Sequence, residues 1–273
     1  MKNSIYAVCL LMLVISSSCR NRNEKKIEAN NIDFKEYVMD TTYHLFGDTI
    51  KPSIKINLST SYPVEYKNKS VLDSLQRLII TSITGSSDQT QRNPEEVMRN
   101  FISQKITEYI RQVVTDELYD SFPNEYVAEE SNVFYKDNIF CFSTGVYNFT
   151  GGAHGVKEVK NICVNLNNGS IITNRDLFTM DNSESLLTSI ILEKLTEMQK
   201  VKSPVDLEKN GFFDISAIRP NDNFLLNEKG ITYVYNPYEI AAYYIGILEV
   251  FIPYEDIIVI LAPQSPIKQI VNK

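Results

Sequence analysis

The chain has 273 residues, 43% of them hydrophobic and 22% charged, and carries a formal net charge of -7. That length buries a full core without staples, and the composition excludes both global disorder and a multi-span membrane protein. The acidic balance argues against nucleic acid, whose phosphates need clustered Lys and Arg, and favours a basic partner at low salt.

The first element is a leader. Lys2 supplies a positive start, Ile5 to Ile15 form an apolar run, and Ser16, Ser17 and Ser18 precede Cys19. This order is a secretory signal over residues 1–18, with an apolar run shorter than the about 20 residues that cross a bilayer. A small-residue trio ending at a cysteine resembles the lipobox of bacterial lipoproteins. Cys19 is therefore expected to be acylated, the alternative being an ordinary signal peptide that leaves it a free thiol. Cleavage removes Lys2 and leaves -8 on the mature chain. Arg20, standing where an Asp would favour the inner membrane, points to an outer-membrane lipid anchor, with the domain in the periplasm or at the cell surface. Polar residues dominate from Arg20 to Asn31, so 19–32 reads as a flexible tether.

Folded structure is expected from Asp33, with strands near Thr41 to Phe46 and Ser53 to Tyr62, where Ile54, Ile56 and Leu58 alternate toward a core. A helix begins at Ser70, its hydroxyl capping near Asp73, buries Leu72, Leu75, Leu78, Ile79 and Ile83, and ends at Gly85. A second begins with Asn93 as cap, Pro94 first and Glu96 completing a capping box, and buries Phe101, Ile102, Ile106, Tyr109, Ile110 and Val113. Strands follow from Tyr126 to Tyr135, Ile139 to Phe149 and Val156 to Leu166, the last two joined by Gly151-Gly152-Ala153-His154-Gly155. After the tight turn at Asn167-Asn168-Gly169 come a short strand at Ile171 and Ile172 and a helix capped by Asp181 and Glu184 that buries Leu186, Leu187, Ile190, Ile191 and Leu195. Pro204 to Pro220 reads as loop, Phe224 to Leu226 and Ile231 to Tyr235 as a hairpin, and Leu248 to Ile252 as a last strand. The fold class is α+β: two small subdomains of mainly antiparallel sheet packed with helices, over 33–150 and 151–262, with 263–273 a tail.

Counting back from a turn centred at Gly152 sets Cys141 opposite Cys163, where oxidising surroundings permit a disulfide. One inserted residue would break that register, so two small packed thiols are the preferred reading and the disulfide the alternative.

Two motifs are distinctive: Thr150-Gly151-Gly152-Ala153-His154-Gly155, and Tyr235-Asn236-Pro237-Tyr238-Glu239-Ile240-Ala241 followed by Tyr243 and Gly246. With Asp176-Leu177-Phe178 and the stretch Phe224 to Tyr233, they resemble the paired domains of unknown function in RsiV-type anti-sigma factors, in the non-catalytic N-terminal part of PdaC-type peptidoglycan deacetylases, and in many envelope lipoproteins. The resemblance runs over about Asp33 to Leu261 and is stronger in its second half. It implies a binding or sensor part, lysozyme being the ligand in RsiV-type proteins, and it places no catalytic residue here. No transmembrane helix or sigma-binding segment is seen ahead of the domain, so an anti-sigma role is not implied.

The candidate ligand-binding residues are Gly151, Gly152, His154, Tyr238 and Glu239. His154 is one of two histidines and lies among glycines that permit close backbone approach; a turn-stabilising role is preferred to a catalytic one. Asn236 as cap, Pro237 at the first position, Glu239 in a capping box and Gly246 as terminator describe a short helix. Tyr233, Tyr235, Tyr238, Tyr243 and Tyr244 are either core or a recognition surface. No HExxH, HxH or CxxC spacing supports a metal site, and no cofactor is expected. Three functions remain: a non-catalytic module binding lysozyme or peptidoglycan, a cell-wall hydrolase or deacetylase using His154 with Glu239, and a purely structural envelope component.

Overall fold

The computed structural model describes residues 32–50, 53–85, 93–115, 123–179 and 182–271. The leader, Cys19, the tether up to Asn31 and Asp181 lie outside them. Ile32 is already 7% exposed and belongs to the core, so ordered packing begins one residue inside the expected tether. Among the described residues no helix is long and apolar enough to cross a membrane.

Six strands form one sheet in sequential order: β1 (Asp33–His44), β2 (Ser53–Glu65), β3 (Asn124–Lys136), β4 (Ile139–Phe149), β5 (Val156–Asn165) and β6 (Ser170–Ile171). All neighbours are antiparallel except β2 and β3, which run parallel. A parallel pair needs a crossover, supplied by α1 (Lys69–Thr84) and α2 (Pro94–Thr115). β2 shows why it lies here: Ile54, Ile56, Leu58, Thr60 and Tyr62 alternate into one buried face. Against that face α1 lays Val71, Leu75, Ile79 and Ile83, and α2 lays Met98, Phe101, Ile106, Tyr109 and Val113. Leu72, Leu78 and Ile110, expected in these stripes, sit at the margin and are only partly buried.

Helix starts depart from expectation. The cap of α1 is Asn68, whose Oδ1 accepts from the N–H groups of Ser70 (3.1 Å) and Val71 (3.3 Å), so Ser70 is already inside the helix. The other end is as expected: Gly85, at φ 66, donates its N–H to Thr81 O. Asn93 Oδ1 accepts from Glu95 N–H at 3.0 Å ahead of Pro94.

The rest of the chain builds a second layer. A single turn, α3 (Asn174–Leu177), is held by the Asp176 carboxylate, which accepts from both the N–H and the hydroxyl of Thr173 at 2.8 Å. Next is α4 (Ser183–Met198), preceded by Asn182 in the left-handed region with no side-chain cap bond, while Glu184, expected in a capping box, pairs instead with Arg219 at 3.3 Å. The stretch expected as loop contains 3-10 turns at Pro204–Asn210 and Ile215–Ala217, which bury Leu207 and Ile215, and it buries Phe212 and Ile218 beside them. A three-stranded antiparallel sheet, β7 (Phe224–Leu226), β8 (Gly230–Tyr235) and β9 (Leu248–Pro253), completes the layer, followed by α5 (Tyr254–Ile257) and α6 (Lys268–Val271).

β4 and β5 join the two layers. Ile139, Phe140, Cys141 and Phe142 are all buried, a continuous run rather than an alternating one, because both sheet faces are covered there. Phe140 and Phe142 point into the core beneath α1 and α2, and Ile139 and Cys141 into the core of the C-terminal layer. The sheet therefore continues across the division expected at 150/151, with Asn148 paired to Val156. Residues 263–271, expected as tail, are core: Ile267 is 0% exposed and Ile270 6%.

Cys141 and Cys163 face each other with Cα atoms 4.1 Å apart and are joined by a disulfide. No inserted residue interrupts the β4–β5 register, so the packed-thiol reading gives way to a bonded pair.

Candidate functional site

The two motifs meet at the end of the β4–β5 hairpin. Gly151 (φ 93) and Gly152 (φ 94) turn the chain in a conformation L side chains rarely adopt, and a Cβ at either would point into open space. Gly155 is glycine for another reason, since a Cβ there would run into the Tyr147 ring. The loop delivers His154 onto Tyr243 of the second motif, the rings stacking 3.9 Å apart at 13°. Both also address one acceptor: Tyr243 OH donates to Gly155 O at 2.7 Å, and His154 Nδ1 lies 3.2 Å from the same oxygen. Tyr238 adds a ring 5.6 Å from that of Tyr243. His154 is exposed, Tyr238 is 55% exposed, and Tyr244, bonded through its hydroxyl to Asn210 O, is 73% exposed.

The second motif does not form the expected helix. Tyr238 sits at φ 69, which an α-helix cannot contain, and its N–H bonds to Ala241 O to close a turn; a 3-10 turn follows only at Tyr243–Ile245. Half of the capping box survives, as Glu239 Oε2 accepts from Asn236 N–H at 2.8 Å. The Asn236 side chain is used elsewhere. Its Oδ1 accepts from Val159 N–H (2.7 Å) and its Nδ2 donates to Val159 O (3.0 Å), pairing like a backbone unit with the outer edge of β5. Asn223 does the same beside it, accepting from Asn161 N–H (2.7 Å) and donating to Val159 O (2.9 Å). Two asparagine side chains thus cover an edge left open by the two-residue β6.

Glu239 is committed to this clasp: Oε1 accepts from Asn221 Nδ2 at 2.6 Å, while Asn221 Nδ2 also bonds Val234 O at 2.9 Å. Among the described residues no hydrogen bond or ion pair joins His154 to Glu239. The structure brings His154, Tyr238 and Tyr243 together and leaves Glu239 as a framework group beside them. Of the other tyrosines, Tyr233 and Tyr235 are core, with hydroxyls bonded to Asn174 Oδ1 (2.6 Å) and Arg219 O (2.8 Å). Burial raises the pKa of both. The sequence marked Tyr243 only as core or recognition surface and Asn236 only as a helix cap, and it did not mark Asn221 or Asn223; their partners lie up to 88 residues away, and no local pattern marks such contacts. Among the described residues no group of three or more His, Cys, Asp or Glu is placed to hold a metal ion.

Comparison with known proteins agrees with this architecture. A solved member of the DUF3298 family from Bacteroides fragilis shares 27% identity and superposes with a TM-score of 0.81 over 89% of this chain and 99% of its own. A DUF3298 protein from Pseudomonas aeruginosa, at 16% identity, matches in fold alone, with a TM-score of 0.55 over 85% of this chain and 96% of that one. No curated protein matches the chain. The family model described as "Protein of unknown function (DUF3298)" matches residues 175–255, which span α3 to the start of α5 and contain the second motif, in keeping with the paired-domain resemblance. Residues 175–255 are therefore similar to the DUF3298 family, and they are joined through β4 and β5 to the six-stranded sheet.

Proposed function

We propose that this chain is a membrane-anchored envelope lipoprotein whose domain is a non-catalytic binding or sensor module, and that the His154–Tyr243–Tyr238 tip is its contact surface. The observation that carries this reading is Tyr238, held at φ 69 with 55% of its surface exposed beside a stacked His–Tyr pair. A left-handed residue with a Cβ costs about 1–2 kcal/mol, and the fold sustains that cost to present a ring to solvent. Aromatic rings offer a large contact area at little cost in side-chain entropy, which suits recognition. The hydrolase or deacetylase reading is less favoured, because both carboxylate oxygens of Glu239 already accept framework hydrogen bonds.

The candidate ligands are a protein such as lysozyme, which is basic where this chain is acidic, and peptidoglycan. Full-length protein is expected to retain lysozyme at low salt and release it at high salt, with Tyr238→Ala weakening retention about tenfold or more. No retention at low salt removes lysozyme, and a pull-down on purified sacculi then decides the cell-wall arm. Muropeptide profiles are expected to be the same with and without the protein. Palmitate is expected to label the wild type, and Cys19→Ala to release it from membranes.

A further inference from the structure

At the other end of the β4–β5 hairpin, three turns enclose a polar cleft of about 280 Å3. The eleven residues of β4 separate it from the His154 tip by roughly 35 Å, at about 3.3 Å per residue, so the two surfaces are distinct. Asp137 and Asn138 come from the β3–β4 turn, Asn165 and Asn167 from the β5–β6 turn, and Gln264, Lys268 and Gln269 from the C-terminal segment.

The walls are set by the fold. Asp137 (φ 48) and Asn138 (φ 65) form a tight two-residue turn, and Asn138 O accepts from Leu166 N–H at 2.8 Å, tying that turn to the next. The C-terminal wall is tied to α3 by Ala262 N–H donating to Leu177 O at 2.9 Å and pinned by buried Ile267 and Ile270. The backbone of the cleft thus has little ordering left to do when a ligand arrives, while the exposed Asn167, Gln264 and Gln269 side chains are ordered on binding.

The lining indicates what it would hold. Asn165 Oδ1 is taken by Asn167 N–H at 3.0 Å, whereas the side-chain amides of half-buried Asn138 and of exposed Asn167, Gln264 and Gln269 carry no hydrogen bond to the described residues and face solvent. Each amide offers two donors and an acceptor, the complement of hydroxyl groups that both donate and accept. One aspartate and one lysine leave the walls without a dominant sign, so neither an anion nor a cation finds a matched set of charges. The volume of about 280 Å3 lies just below the ~300–1,000 Å3 range of sites for larger small molecules, which limits the occupant to a single ring. We infer that this cleft is a binding site for a neutral, polyhydroxylated ring, that is, one sugar unit, held by the amides of Asn138, Asn167, Gln264 and Gln269.

The test is saturation-transfer NMR on the full chain in detergent, with a panel of methyl glycosides of glucose, galactose, mannose and N-acetylglucosamine, and with methyl glucuronide and methyl glucosaminide as charged counterparts. Transfer to at least one neutral glycoside is expected, with the charged counterparts binding more weakly. Asn138→Gly, which tolerates the positive φ, combined with Gln264→Ala is expected to weaken binding about tenfold while leaving the melting temperature unchanged. Tyr238→Ala, at the other tip, is expected to leave it untouched. The inference is overturned if no neutral glycoside receives saturation, if a charged counterpart binds as well as its neutral parent, if the paired variant binds as wild type, or if Tyr238→Ala abolishes the signal. Loss of the signal in Tyr238→Ala would move glycoside binding to the aromatic tip and support the cell-wall arm there, whereas the other outcomes leave the proposed role of the tip as it stands.

Discussion

Glu130 shows how one side chain can set the pH response of the fold. It lies on the buried face of β3, 5% exposed, with Oε2 accepting from Thr60 Oγ1 (2.8 Å) and Ser61 N–H (2.9 Å). Oε1 is buried with no partner. Desolvation raises its pKa from 4.5 to about 7, the two hydrogen bonds opposing and the Glu36 charge adding to the rise. The folded value lies above the unfolded one, so the folded state binds the extra proton between about 4.5 and about 7, and stability falls as pH rises through that window. Above the window the buried carboxylate costs about 3 kcal/mol. Glu130→Gln is therefore expected to raise the melting temperature at pH 8 and to flatten its decline between pH 5 and pH 8. A decline of unchanged steepness in that variant would assign the titration to another group. The alternation of β3 does not reveal this residue as buried: Glu at 130 reads as a solvent position, and the partners that reach it, Thr60 and Ser61, come from β2.

At the scale of elements, the asparagine clasp adds to the shared β4–β5 core in holding the C-terminal layer to the large sheet. Val159 has both backbone groups bonded to side chains of Asn223 and Asn236, and Asn161 N–H is bonded to Asn223. Removing either asparagine strands part-buried backbone groups, at about 1–3 kcal/mol each. Asn223→Ala and Asn236→Ala are expected to lower the midpoint of urea unfolding accordingly, and to speed hydrogen exchange at the amides of Asn161 and Val159 respectively. Protection at those amides equal to wild type would mean that another group covers the edge. Helix cores were legible where periodicity is strong: Leu75, Ile79 and Ile83 in α1 and Phe101, Ile106 and Tyr109 in α2 are buried as their spacing predicts. Local starts were less so, because Asn68 and Ser70 both offer a capping oxygen and only the path of the incoming chain selects Asn68. The second motif carries every local mark of a helix, yet Asn236 bonds β5 and the turn follows from that distant contact.

At the scale of the molecule, β4 and β5 belong to both cores, and the disulfide lies where they meet. A crosslink between residues 22 apart removes about 3 kcal/mol of chain entropy from the unfolded state. Cys141→Ser with Cys163→Ser is expected to lower stability by about that amount, with both layers melting in one transition because the shared strands couple them. Two separate calorimetric transitions would show that the layers fold independently. Ile267→Ala is expected to cost about 2–5 kcal/mol in chemical denaturation, as a fully buried aliphatic side chain leaves a cavity. A cost near zero would restore 263–271 to the status of a tail. The α+β class, the strands from β2 to β5, the stripes of the long helices, the cysteine register and the family motifs were all determined by the sequence itself, because each rests on spacing within one element or one hairpin. Tertiary structure alone decided the parallel β2–β3 pair, the burial of Glu130 and of the C-terminus, the clasp on β5 and the stacking of His154 on Tyr243. Each of these depends on groups far apart along the chain, whose meeting is set by how two cores share one sheet.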